Sequence, residues 1–366
     1  MKSIAYIVST LRKTGPTNVL AGTVFNLDKK KFLPTIITLS PEKNGADSWK
    51  PEFEQRGIPV YTLNLSRLKG CLSGGKKLKQ ILATIRPDIV HTHCFRSTLF
   101  AALYLKAYKR AATIHCDYER DFALAYGKIK GALMSKIFSW ALWQADARIC
   151  CSTGLFGILK QKFPHTKYLY VNNGVDINKF SPVLDKTALR RTLNLPKDKK
   201  IFIWAGVFLP GKDPFVMARA ILKLKEKNAF FVFCGEGPLL GHTKELLLDN
   251  PNVRFTGQIK NIRDYFQSAD FYVSTSLSES FHLTVYEAMA CGIPVILTDI
   301  EAYGPLHGCK ATTFFKTGDY TALAGQMARA LNGGFANSTN DAVQTVRKAY
   351  SLPTMAAGYQ DIYLSL

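Results

Sequence analysis

Acidic side chains are scarce in this chain: 27 Asp and Glu stand against 48 Lys and Arg, leaving a net charge of +21. The shortage is uneven. Residues 1–180 hold 28 basic and 11 acidic side chains, whereas residues 181–366 hold 20 and 16. A basic first half calls for an anionic partner: nucleic acid, an anionic membrane or a diphosphate-bearing substrate. No zinc-finger, RNA-recognition or helix-turn-helix signature is present, which argues against nucleic acid. No apolar run reaches the roughly 20 residues needed to span a bilayer. The apolar start of the chain gives way to Arg12 and Lys13 too soon for a secretory core and reads as a first strand. Paired cysteines are also missing. The eight cysteines (71, 94, 116, 150, 151, 234, 291, 309) form no Cys-x-x-Cys pair and sit in apolar runs. Buried free thiols in a reducing cytoplasm are expected, not disulfides or zinc.

What is present is a chain of 366 residues, 47% hydrophobic and 20% charged, long enough for two domains. Short β-rich runs alternate with helical stretches. Strands are expected at Ile4–Ser9, Thr35–Leu39, Val60–Leu63, Ile89–Thr92, Ala112–His115, Arg148–Cys151 and Tyr168–Val171. After a turn at Asn172-Asn173-Gly174 the pattern resumes at Ile201–Ala205, Phe230–Cys234, Val253–Thr256, Phe271–Thr275, Val295–Thr298 and Thr313–Phe315. Strands separated by helices imply doubly wound parallel sheets, an α/β class, with ligands at the carboxyl ends of the strands.

The most informative stretch runs from Ser276 to Asp299. Ser278, Glu279 and Ser280 suit the entry to a helix, Gly292 and Pro294 end it, and a β-branched run follows. Glu279 and Glu287 flank the helix start, where backbone amides near Phe281, His282, Leu283 and Thr284 offer a phosphate site. That arrangement suits a nucleotide sugar, with diphosphate on the amides, ribose on one acid and sugar near the other. Glu-x7-Glu followed by Ala-Met-Ala-Cys-Gly-Ile-Pro-Val resembles the signature of the retaining glycosyltransferases of family 4. The resemblance implies a GT-B fold, two Rossmann-like domains facing a cleft. It places an acceptor-side domain at 1–175, rejoined by a C-terminal helix of about 354–366, and a donor-binding domain at 176–353.

The same resemblance assigns further residues. Gly15, in Arg12-Lys13-Thr14-Gly15, matches a glycine loop beside the donor phosphate. His115, just past an apolar strand, matches a histidine that touches the donor sugar. Glu279 would orient sugar hydroxyls and Glu287 the ribose, with Lys212 and the amides of Leu283 and Thr284 on the diphosphate. Gly235, in Gly-x-Gly-Pro, would turn beside the nucleotide, and Ile259 would border the base. One departure stands out: the arginine that usually accompanies Lys212 is Val207, so Arg12 or Lys13 is the candidate replacement. Ser280 and His282 also replace the usual Gly and Pro. His91 and His93 share a strand face, but no third ligand of suitable spacing accompanies them, so a structural role is expected. No Asp-x-Asp triplet occurs, and no metal or resident cofactor is expected.

Lys128–Trp143 combines lysines with two tryptophans and aliphatics. Together with Arg67–Lys79 and Lys106–Arg110 it favours peripheral binding to the anionic cytoplasmic face of the inner membrane. The expected activity is metal-independent, retaining transfer of a hexose or N-acetylhexosamine, UDP-linked, to a saccharide acceptor on polyprenyl diphosphate. The expected setting is assembly of a bacterial surface polysaccharide such as lipopolysaccharide O-antigen. Two rivals remain: a nucleotide-sugar epimerase of the same fold, and a basic binding protein without chemistry.

Overall fold

The computed structural model describes residues 1–42, 47–66, 70–224 and 226–366, and the side chains of all of these except 70–73. Residues 67–69 of the Arg67–Lys79 run lie outside the described residues, as does the side chain of Cys71. The chain divides into two compact units, Met1–Gly174 with Leu352–Leu366, and Val175–Ser351.

The first unit is built on a seven-stranded sheet: β1 (Lys2–Val8), β2 (Phe32–Thr38), β3 (Val60–Thr62), β4 (Ile89–His93), β5 (Lys109–Ile114), β6 (Ala147–Cys150) and β7 (Leu169–Tyr170). All pairings are parallel, in the order β3-β2-β1-β4-β5-β6-β7. Central strands in such a sheet are covered on both faces, so they read as continuous apolar runs, and Ile4 to Val8 are all buried. One face packs on helix Gly15–Phe25 and on the returning helix Leu352–Ser365. A Cβ at Gly22 would stand 2.7 Å from Leu352, so glycine sets how closely these two helices approach. Lys2 Nζ donates to the Tyr363 carbonyl at 2.8 Å, tying the first strand to the last helix.

The second unit has six parallel strands: β8 (Lys200–Ala205), β9 (Ala229–Cys234), β10 (Val253–Phe255), β11 (Phe271–Ser274), β12 (Val295–Thr298) and β13 (Thr312–Phe315). Their order is β10-β9-β8-β11-β12-β13, with apolar clusters on both faces. In each sheet the order reverses beside the first strand, and the loops at the carboxyl ends of the strands form the natural ligand edge.

The cysteine expectation needs correction. Cys150, Cys151, Cys234 and Cys291 are buried free thiols, but Cys116 and Cys309 are half-buried and Cys94 is exposed. Cys94 follows the last residue of β4, where the chain turns out of the sheet into helix Phe95–Tyr104 with a φ of 72°. Its apolar surroundings in sequence belong to the elements on either side.

Candidate active site

Three loops meet at the carboxyl ends of β8, β9 and β10. Gly206 N donates to the Cys234 carbonyl at 3.0 Å, Phe208 N to the Glu236 carbonyl at 2.9 Å, and Gly235 N to the Gly257 carbonyl at 2.9 Å. This lacing explains Gly235: with φ at 134°, a Cβ there would lie 1.9 Å from the Gly206 carbonyl oxygen. Ile259, just beyond, is half-buried against the core. Gly15 contrasts with Gly235. It opens helix Gly15–Phe25 in the first unit, and a Cβ there would meet nothing within 4 Å. The protein itself does not demand glycine at that position.

After β8 the chain makes a short 3₁₀ turn, Pro210–Lys212. The loop after β11 is fastened to it, with Leu277 N donating to the Gly211 carbonyl at 2.9 Å. Trp204 Nε1 donates to Thr275 Oγ1, which donates to the Lys212 carbonyl at 2.8 Å. The fastening places the Lys212 ammonium on the Glu279 carboxylate in a largely buried ion pair. Burial acts to raise the Glu279 pKa, but the neighbouring His282 and the Lys212 ammonium outweigh it, and Glu279 is held below its ordinary value.

The helix itself spans Leu283–Ala290 and starts later than expected. Ser278, Glu279 and Ser280 stay in the loop, and His282 occupies the capping position without a side-chain cap. Of the four amides expected at its start, those of Leu283 and Thr284 open the helix, and no helical carbonyl lies one turn behind them. Thr284 Oγ1 lies 3.2 Å from the Tyr272 hydroxyl, which donates to the Ala205 carbonyl at 3.3 Å.

His282 faces inward. Its Nδ1 lies 2.6 Å from the Tyr303 hydroxyl, 3.3 Å from Ser274 Oγ and 3.5 Å from Glu279 Oε1. Burial lowers its pKa to about 4, so it is neutral at pH 7. This buried polar group behind Glu279 takes the place of the proline that the resemblance leads one to expect. Tyr303 and Ser274 were not foreseen, because they come from the segments after β12 and within β11.

Glu287 lies just over one turn into this helix and is different in kind. Its carboxylate has no hydrogen bond or ion pair among the described residues. Burial raises its pKa to about 7, opposed only by the charge of Lys179.

Val207, where the arginine was expected, is exposed. Its two candidate replacements already hold acids in the first unit. Arg12 Nε lies 3.6 Å from Asp47, and Lys13 Nζ lies 2.7 Å from Glu52 while sitting over the Trp49 ring. His115 is also in the first unit, its Nε2 2.9 Å from His93 Nδ1 and their rings stacked. His91 is committed elsewhere, to the Tyr363 and Thr113 hydroxyls at 2.7 and 2.8 Å.

The architecture agrees with comparisons to known proteins. The family model "Glycosyltransferase Family 4" matches residues 15–179, and "Glycosyl transferases group 1" matches residues 185–349. The chain belongs to the family 4 glycosyltransferases of the GT-B fold. TuaC of Bacillus subtilis (strain 168), named for teichuronic acid biosynthesis, is 27% identical to this glycosyltransferase over 76% of the chain and 73% of its own length. An Escherichia coli UDP-Gal:alpha-D-GlcNAc-diphosphoundecaprenol alpha-1,3-galactosyltransferase is 26% identical over 67% of the chain and 66% of its own length. Among solved structures, Anabaena Alr3699/HepE in complex with UDP superimposes with a TM-score of 0.82 at 17% identity, covering all of both chains. A Rickettsia africae glycosyltransferase gives a TM-score of 0.80 at 20% identity over 100% of this chain and 98% of its own.

Proposed function

We propose that this glycosyltransferase moves a hexose or N-acetylhexosamine from a UDP-linked donor to a saccharide carried on polyprenyl diphosphate, with retained anomeric configuration, in surface-polysaccharide assembly. The observation that carries the reading is the Lys212 ammonium held on Glu279 beside the open first turn of helix Leu283–Ala290. One cation thereby serves two anions, a sugar-facing carboxylate and an incoming diphosphate, while the helix amides of Leu283 and Thr284 take the remaining phosphate oxygens. Glu287 is read as the ribose ligand, Ile259 as the base neighbour, and His115 as a contact to the donor sugar.

In the reaction we propose, the C1–oxygen bond to the diphosphate breaks and the acceptor oxygen bonds to C1 on the same face. The acceptor proton passes to the departing phosphate oxygen, and UDP leaves with its negative charge met by Lys212 and the helix dipole. No resident metal or cofactor is assigned a step.

The acceptor reading draws support from one face of the first unit. Helix Tyr118–Tyr126 turns at Gly127 into helix Lys128–Trp143. The second helix buries Gly131, Ser135, Phe138 and Leu142. Its outward stripe is Ile129, Leu133, Lys136, Trp140 and Trp143, with Ile129 91%, Leu133 60% and Trp143 71% exposed. No acid occurs between Asp121 and Asp146, while Lys128, Lys130 and Lys136 do. An exposed apolar stripe flanked only by cations suits the headgroup level of an anionic membrane, here the cytoplasmic face of the inner membrane. No helix among the described residues is long and apolar enough to cross one.

The test is an assay of UDP-sugars against polyprenyl-diphosphate-linked saccharides with EDTA present throughout, the product anomer being read by NMR. Product with the inverted anomer, or turnover only with added metal, contradicts the respective part of the proposal. Formation of an isomeric UDP-sugar without acceptor would instead favour the epimerase.

A further inference from the structure

Three imidazoles stand in a row where β4 and β5 end. The ring centroids of His91 and His93 are 4.7 Å apart, and those of His93 and His115 are 5.1 Å apart. His91 has both nitrogens engaged, by Tyr363 and Thr113, whose hydroxyls continue to Tyr6 and Tyr359. His93 is not so served. Its Nδ1 meets His115 Nε2 at 2.9 Å, while its Nε2 is buried without a hydrogen-bond partner among the described residues. Of the three residues only His115 is partly exposed.

We propose that His93 is a positioning residue that fixes His115 in the tautomer protonated on Nδ1, so that His115 offers the donor sugar an N–H and not a lone pair. Burial depresses both pKa values, that of His115 to about 4 and that of His93 well below the ordinary range, so each ring is neutral and carries one N–H at pH 7. Between His93 Nδ1 and His115 Nε2 there is room for one proton. If His115 supplies it, the single N–H of His93 must sit on Nε2, a buried donor with nothing to receive it. If His93 supplies it, Nε2 is left with an unpaired acceptor, and orphaned buried donors are the rarer and costlier case. The second arrangement therefore holds. It leaves His115 Nε2 as acceptor and puts the N–H on Nδ1, the nitrogen without a protein partner among the described residues. In this tautomer His115 recognises a sugar oxygen and cannot accept the acceptor's proton, so that proton must go elsewhere, as it does in the transfer proposed above. The inference rests on that reading only for the identity of the ligand.

The experiment is a two-bond proton–nitrogen NMR correlation on the full chain labelled with ¹⁵N-histidine, first without ligand. His115 is expected to show a protonated Nδ1 and a bare Nε2. The reverse pattern, or averaging of the two nitrogens, overturns the assignment. Titration follows with UDP and with UDP-glucose. In His93→Leu, where the tautomer is released, affinity for UDP-glucose is expected to fall about tenfold, the worth of one hydrogen bond, while affinity for UDP stays within about twofold. His93→Asn, whose amide can donate from nearly the same place as Nδ1, is expected to recover the difference. Equal losses for both ligands would mean a merely structural role and would overturn the proposal. If the unaltered chain binds neither ligand, the transfer reading and the sugar contact fall together, while the ligand-free spectrum still decides the tautomer.

Discussion

Glu287 should make donor binding depend on pH. Burial lifts its pKa from 4.5 to about 7, and no cation is close enough to reverse this. A ribose diol donates hydrogen bonds, so the ligand selects the ionised carboxylate, and apparent affinity scales with its ionised fraction. With a pKa of 7, that fraction is about one-eleventh at pH 6 and nine-tenths at pH 8. The dissociation constant for UDP-glucose should therefore weaken about tenfold from pH 8 to pH 6, or about 1.4 kcal/mol. UDP-glucose suits the measurement because its diphosphate is a diester and does not titrate in this window. The other shifted groups near the site stay silent there, His282 being at about 4 and Glu279 held below its ordinary value. Isothermal titration calorimetry in buffers of different ionisation heat should also detect nearly one proton released per donor bound at pH 6, and almost none at pH 8. The sign for stability follows from the same shift. Without ligand, the folded state holds this proton more tightly than the unfolded one, so the Glu287 contribution to stability declines as pH rises from about 4.5 to about 7. A dissociation constant that does not change between pH 6 and 8, or a slope that survives in Glu287→Gln, would refute the reasoning.

Four further expectations follow. Lys212→Ala and Glu279→Gln should each reduce kcat/KM by at least about 100-fold, and the double variant should lose far less than the two effects combined, because each single change strands a partner; additive losses in steady-state kinetics would show the two act separately. Val207→Arg should restore a second cation beside Lys212 and tighten UDP binding about fivefold to tenfold at low salt, an advantage that calorimetry at high salt should see shrink. Leu133→Glu with Ile129→Glu should abolish co-sedimentation with vesicles containing anionic lipid while leaving UDP affinity unchanged; undiminished vesicle binding would remove that face from the membrane proposal. Gly235→Ala should lower Tm by several degrees or prevent folding, since the new Cβ would lie 1.9 Å from the Gly206 carbonyl oxygen.

The fold was legible because a buried parallel strand can hardly be written other than as an apolar run. Each run read as a strand, from Ile4–Ser9 to Thr313–Phe315, overlaps one of β1 to β13. The loops proposed to hold the donor could be picked out for a related reason: Gly235 and the Glu279–Glu287 spacing are local demands met within a few residues. Partnerships between distant segments were hidden. Nothing near Lys13 in sequence announces Glu52, and nothing near His282 announces Tyr303, since each pair is made by packing. The His93–His115 contact lay between these cases. The parallel register pairs His93 with Thr113, so His115, two residues further on, shares the face that carries His91 and His93. Reading adjacent strands together, not one at a time, would have found it.

Helix Leu352–Ser365 belongs to the first unit although the whole of the second is synthesised before it. Its Tyr363 hydroxyl lies 3.0 Å from that of Tyr6 and 2.7 Å from His91, within the heart of the β1 sheet. The amino-terminal sheet therefore keeps one apolar flank uncovered while the second unit is made. It is sealed only when helix Leu352–Ser365 docks, after the intervening second unit has been made.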